Sequence, residues 1–224
     1  MVQSQRRAQL EAAEVRGNQL FDAVEAAGLI MPGKSEQTLS DEIYALARDQ
    51  FGVVQHWHKR IVRSGANTVA TYYDDPPLRM IEPDDTVYLD FGPVLEGFEA
   101  DLGRSYALGA DPDKQRLVGD LPKVFARVQA RYHARPEMTG DELYALAQEQ
   151  AQSEGWIFGG RIAGHTIHGP FPHPPVPREG HLIAPVNHLP MSRPGPDGQE
   201  RHWILEIHLV DPQRRFGGFY ERLL

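Results

Sequence analysis

Asp90 and Asp101 lie eleven residues apart in TVYLDFGPVLEGFEADLGRSYALG, where strand-forming residues flank a turn punctuated by proline and glycine. With Leu95 and Glu96 at the tip of that hairpin, the two carboxylates are expected to face each other directly. Facing side chains on antiparallel strands have Cβ atoms about 5 Å apart, and like charges so placed destabilise a sheet unless a counter-charge intervenes. A metal ion is such a counter-charge, and the spacing suits a two-metal site whose ions sit about 4 Å apart and share oxygen ligands. The same arithmetic recurs near the C-terminus. There WILEIHLV, Trp203 to Val210, precedes a turn centred on Gln213 and Arg214, which sets Glu206 opposite Glu221. Both pairings depend on register, because a slip of one residue turns a side chain to the other face.

Each acid taken alone could be a solvated strand residue. Asp90 in VYLDFG and Glu206 in WILEIHLV, however, sit among apolar neighbours. An unpaired carboxylate buried there would cost several kcal/mol or hold a proton. Metal ligation removes that cost. Seven of the ten histidines fall between His165 and His208, beginning with GHTIHGPFPH. Neutral imidazole is the ligand type such a site lacks, and His165 follows a glycine that permits close backbone approach, so His165 is the first choice of ligand. His173 reads as a hydrogen-bonding or proton-transfer residue. His181, His188 and His202 read as surface positions.

The chain contains no cysteine, which excludes disulfides, thiolate metal sites and a cysteine nucleophile. His, Asp and Glu must then hold any transition metal, a set that favours Mn, Co or Zn, with manganese foremost. A formal charge of −8 argues against a general nucleic-acid binder. No stretch approaches the roughly 20 apolar residues of a membrane span, and the expectation is a soluble cytoplasmic protein. The chain is compatible with a homodimer as well as a monomer.

The elements that must position these residues follow from periodicity. Helices are expected over Ala8 to Leu29 and Ser40 to Phe51, and strands over Ile61 to Ser64, Thr86 to Gly92, Phe98 to Leu108, Trp203 to Val210 and Phe219 to Leu223. Helices preceding hairpins imply an α+β fold around a mainly antiparallel sheet. DEIYALA, Asp41 to Ala47, recurs as DELYALA, Asp141 to Ala147. A capping threonine, Thr38 or Thr139, precedes each copy. Ala, Leu, Glu and Tyr suit any amphipathic helix, so chance is the bland reading, and internal duplication is the sharper and favoured one. Duplication would give two helix-plus-hairpin halves, roughly 1–110 and 111–224, about a pseudo-twofold axis, with the site between them. The proline-rich interval from Gly169 to Gly198 reads as an extended functional loop.

These residues resemble the pita-bread metallopeptidases, the family of methionine aminopeptidase, Xaa-Pro aminopeptidase, prolidase and creatinase. LDFGPVLEGFEADLGRSYALG is similar to the family's Asp-x-Gly, Gly-Tyr and Asp-x-x-Arg segment, with Asp90, Asp101 and Arg104 in register and Phe98 in place of tyrosine. Gly164-His165, LEIH (Leu205 to His208) and FGGFYE (Phe216 to Glu221) resemble the remaining ligand motifs. The resemblance covers essentially the whole chain, implies a single catalytic domain over 1–224 and leaves no N-terminal domain to account for. It implies that Asp90 chelates one ion, that Asp101 and Glu221 bridge, and that His165 and Glu206 hold the other. Glu206 would also shuttle protons, and His173 would orient substrate or stabilise the tetrahedral intermediate.

Departures surround the pocket. Tyr72 stands where a substrate-contacting histidine is expected, and its hydroxyl could donate in that histidine's stead. His173 falls one place late, Phe219 replaces an arginine frequent in Xaa-Pro-cleaving members, and Ile207 follows Glu206 in place of proline. The implied activity is a dinuclear exopeptidase acting on the N-terminal peptide bond, with Xaa-Pro peptides favoured. Methionine aminopeptidase activity, a catalytically inactive peptide- or protein-binding role and creatinase-like hydrolysis of a small molecule remain as alternatives.

Overall fold

The computed structural model describes residues 3–175, 180–196 and 198–224. Its helices are α1 (Gln3–Ala26), α2 (Glu36–Phe51), α3 (Pro112–Ala134) and α4 (Gly140–Ser153). The strands are β1 (Ile61–Ser64), β2 (Thr86–Phe91), β3 (Val94–Leu95), β4 (Phe98–Glu99), β5 (Leu102–Ala107), β6 (Ile157–Phe158), β7 (Gly164–Ile167), β8 (His202–Val210) and β9 (Gly217–Leu223). One seven-stranded sheet runs β1-β2-β5-β9-β8-β6, with β7 also paired to β8. Every pairing is antiparallel. The α+β class expected from the sequence is the class observed.

Strand alternation sorts the sheet into a dry face and a functional face. Val87, Leu89 and Phe91 of β2 join one hydrophobic cluster with α1 and α2, while Leu205, Ile207 and Leu209 of β8 join another with α3 and α4. Burying each such side chain contributes about 1.5–3 kcal/mol relative to leaving it exposed. The intervening residues Tyr88, Asp90, Glu206 and His208 turn the other way and line a cavity.

Local signals account for the helix ends, with one correction. Thr139 caps α4 in a full capping box with Glu142, as expected. The cap of α2 is Ser35, whose hydroxyl accepts from Thr38 N at 3.0 Å. Thr38 is therefore already inside the helix, which starts earlier than Ser40 because Ser35 supplies the acceptor that its first turn needs. Gly52 ends α2 at a φ of 67°. In the proline-rich interval, 176–179 and 197 lie outside the described residues, and the rest carries no named helix or strand. No helix among the described residues is long and apolar enough to cross a membrane.

Candidate metal centre and active site

A single row of paired residues crosses the sheet. Ile61 pairs with Asp90, Asp90 with Gly103, Gly103 with Glu221 and Glu221 with Glu206. The expected register of the second hairpin is the observed one. The first hairpin differs: Asp90 faces Gly103, so it is not directly opposite Asp101. The turn is centred on Glu96 and Gly97, whose φ angles are 52° and 82°. Two-residue hairpin turns of this hand need positive φ at both central positions, and Gly97 takes the second without strain. That moves the centre by one residue and the pairing by two, which keeps Asp101 on the same face as Asp90 and diagonal to it. Asp101 itself lies between β4 and β5, interrupting the strand expected over Phe98 to Leu108.

The space over Gly103, the bare position in the row, is occupied by side chains of β9. A Cβ there would sit 2.4 Å from the Phe219 ring and 3.0 Å from Glu221 Cβ. His165 reaches the row from β7, which pairs with β8 at Ile204. A Cβ at Gly164 would lie 2.0 Å from Ile204 O, and φ there is 136°, so the glycine permits the close approach read from the sequence. His165 Nδ1 bonds Thr166 O at 3.0 Å. Its Nε2 lies 3.2 Å from Asp101 Oδ2 and 3.7 Å from Glu206 Oε1.

Sequence reasoning missed His58. Its Nε2 lies 3.0 Å from Asp101 Oδ1 and 3.7 Å from Asp90 Oδ1. The signal available was the His-Trp-His run, 56 to 58, just upstream of the strand that pairs with Asp90. Glu36 was missed as well. Buried at the start of α2, its carboxylate accepts from Ser64 N at 2.6 Å and Asn67 Nδ2 at 3.0 Å, fixing the turn of 3₁₀ helix (Gly65–Val69) that leads to Tyr72.

His173 pairs through Nε2 with the buried Glu99 at 2.7 Å and lies at the cavity wall. Tyr72 lines the same cavity, its ring 6.1 Å from that of His58. Arg104 points away to α1, where it bonds Asp22 at 2.9 Å and Glu25 at 2.7 Å. Of the three histidines read as surface positions, only His188 is exposed, pairing with Asp141 at 2.8 Å. His202 is buried at the start of β8, opposite Ile167, because that strand begins one residue before the expected Trp203. His181 is half-buried and lines the cavity, drawn in by the bond from Thr166 N to its carbonyl.

Charge is concentrated where water is scarce. Burial pushes Asp90 up to about 7 and Glu206 up to about 8, and it raises Glu221 well above the carboxylate range with the help of Asp101 and Asp90. Burial also opposes ionisation of Asp101, but His58 and His165 outweigh it and hold that acid down at about 2. Burial disfavours charge on both imidazoles too, yet the surrounding carboxylates lift His58 and His165 to about 9. Without a cation these groups balance only by sharing protons.

The residues fit a metal. Asp101 Oδ2 and Glu221 Oε2 are buried without a hydrogen-bond partner, a costly state unless a cation satisfies them. Donor atoms of Asp101, His165 and Glu221 lie within 4.8 Å of one another, as do those of His58, Asp90 and Asp101. Carboxylate oxygen with imidazole nitrogen suits a divalent first-row ion. The cavity in front of them holds about 630 Å³, within the range of small-ligand sites.

An antiparallel sheet that gathers buried acids and histidines at the wall of such a cavity defines a candidate metallohydrolase. The chain belongs to metallopeptidase family M24, whose model matches residues 8–195. It is 27% identical over 136 residues to an Xaa-Pro dipeptidase of Lactobacillus helveticus, covering 61% of this chain and 35% of that protein. The chain thus spans about a third of the length of that relative. It superposes on an X-Pro aminopeptidase from Thermotoga maritima with a TM-score of 0.72 at 20% identity, over 97% of this chain and 57% of the other. Against a methionine aminopeptidase from Rickettsia prowazekii the TM-score is 0.71 at 13% identity, over 100% and 94%. The shared fold is the pita-bread fold.

Proposed function

We propose that this chain is the catalytic domain of a dinuclear metal-dependent exopeptidase that hydrolyses the N-terminal peptide bond of peptides, with Xaa-Pro substrates favoured and manganese as the working metal. The observation that carries this reading is the convergence of Asp90, Asp101, His165, Glu206 and Glu221 on one buried wall of the cavity, with partnerless oxygens on Asp101 and Glu221. Asp90 would hold one ion and His165 with Glu206 the other, with Asp101 and Glu221 contributing to both. Bound divalent ions lower the pKa of water toward neutrality and polarise a carbonyl.

The side chains divide the remaining work. Glu206, at the cavity surface of β8, takes the proton of the attacking water and returns it to the departing amine. His173, its ring fixed by Glu99 at 2.7 Å, acts on the substrate carbonyl, and Tyr72, which lines the same cavity, donates to the substrate. The Xaa-Pro preference is supported by the names of the Lactobacillus and Thermotoga relatives. The duplication reading is supported by the two large clusters of the core, one with α1 and α2 and one with α3 and α4.

A panel of Xaa-Pro dipeptides, Xaa-Pro tripeptides and Met-Ala-type peptides with the manganese-loaded chain tests the proposal. Release of the residue before proline is expected, with Glu206→Gln reducing kcat by about 10²–10⁴-fold. No turnover of any peptide by the metal-loaded protein would favour the peptide-binding role instead.

A further inference from the structure

His58 lies outside the ligand set above, yet it occupies a built position. Its segment is clamped to the first hairpin: Val94 N donates to Gln55 O at 2.9 Å, Trp57 N to Gly92 O at 2.9 Å, and Trp57 Nε1 to Ala100 O at 3.0 Å. The imidazole fills the space that a side chain at position 92 would need. A Cβ on Gly92 would lie 2.2 Å from His58 Cδ2 and 2.4 Å from Nε2. The Trp57 ring packs edge-on against both imidazoles, with centroids 4.6 Å from His58 and 5.5 Å from His165.

The two histidines are held alike. His58 Nδ1 bonds the carbonyl of the next residue, Lys59, at 2.7 Å, just as His165 Nδ1 bonds Thr166 O at 3.0 Å. With Nδ1–H donating to the carbonyl, Nε2 of each ring points at carboxylate oxygens and offers its lone pair to a cation once the proton it shares with them is displaced. Such a carbonyl contact is the usual outer partner of a metal-bound imidazole, setting its tautomer and ring orientation. Asp101 divides its oxygens between them, Oδ1 at 3.0 Å from His58 Nε2 and Oδ2 at 3.2 Å from His165 Nε2. Adjacent ligands on an octahedral ion with bonds of about 2.1 Å lie ~3.0 Å apart, so these separations match donors around a common ion.

We propose that His58 is a metal ligand, so that each of the two ions has its own imidazole: one is held by His58 and Asp90, the other by His165 and Glu206, with Asp101 and Glu221 shared by both. This rests on the metallopeptidase reading of the same site and extends its ligand set. An added nitrogen donor shifts the first half-site toward cobalt and zinc relative to manganese.

Proton NMR of the full chain loaded with Co(II) tests it, because a cobalt-bound imidazole gives a strongly shifted, solvent-exchangeable Nδ1–H signal. The wild type is expected to show such signals from two histidines. His58→Gln should lose one of them and weaken one of the two cobalt equivalents by at least about 10–100-fold, and His56→Gln should lose neither. Full cobalt loading with a single exchangeable imidazole signal in the wild type would overturn the assignment of His58 and leave the peptidase reading standing. Failure of the folded wild type to bind cobalt would overturn both. Should His58→Gln fail to fold, the wild-type signal count alone decides.

Discussion

Glu206 and Glu221 face each other across β8 and β9, two carboxylates at the heart of a sheet, and Arg161, which lines the cavity beside them, is paired with Asp74 at 2.9 Å. Metal is the counter-charge this arrangement needs, and binding energy becomes folding energy when the unfolded chain has no site. Manganese at one hundred times its dissociation constant should stabilise the metal-free protein by about 2.7 kcal/mol per site. For a domain of this size that is roughly 5–10 °C in Tm. Differential scanning fluorimetry with and without manganese checks it, and a Tm that does not move would count against the site.

Arg104 belongs to the motif by which the chain resembles its family, but its guanidinium ties β5 to α1 through Asp22, Glu25 and Asn18 and lies 5.1 Å from the Phe21 ring centroid. Arg104→Ala should therefore cost about 1–2 kcal/mol, because its carboxylate partners are largely solvated and its stem still packs. Peptide KM of the folded variant should stay within about twofold of wild type. Urea unfolding and steady-state kinetics on one preparation separate the two effects.

Asp120 provides an acid-sensitive anchor remote from the metal wall. Burial pushes its carboxyl up, but Lys123 at 3.0 Å, Trp156 Nε1 at 3.1 Å and Arg116 together hold it below the usual range. A group with a depressed folded pKa contributes stability that is complete above its unfolded pKa and lost as pH falls through the folded one. Asp120→Asn should cost about 1 kcal/mol near pH 7, since the cationic partners Arg116 and Lys123 are 48% and 65% exposed. The difference from wild type should shrink below about pH 4. Denaturant midpoints at a series of pH values test the sign.

The legible parts of the sequence were those set by local chemistry. Turn residues around Gln213 and Arg214, with continuous apolar sequence in β8, made the pairing of Glu206 with Glu221 readable, and Thr139 with Glu142 announced the start of α4. The first hairpin was read two residues out because Leu95 and Glu96 were placed at a tip that Glu96 and Gly97 occupy. The side-chain period of two meant that both acids still reached the correct face. His58 was legible only as part of the His-Trp-His run, 56 to 58, which does not place its side chain. It lies in a segment without periodicity, and its position depends on space above Gly92 that only the folded hairpin creates. Gly103, likewise, gave no sign that Phe219 would lie over it.

The central claim is that Asp101 joins the two halves of one metal centre. Metal content of the purified chain, measured by inductively coupled plasma mass spectrometry after manganese loading and desalting, tests it most directly. The wild type should retain about two ions per chain. Asp101→Asn should retain less than about one and lose Xaa-Pro hydrolysis with it. Full metal retention by a folded Asp101→Asn would contradict the claim.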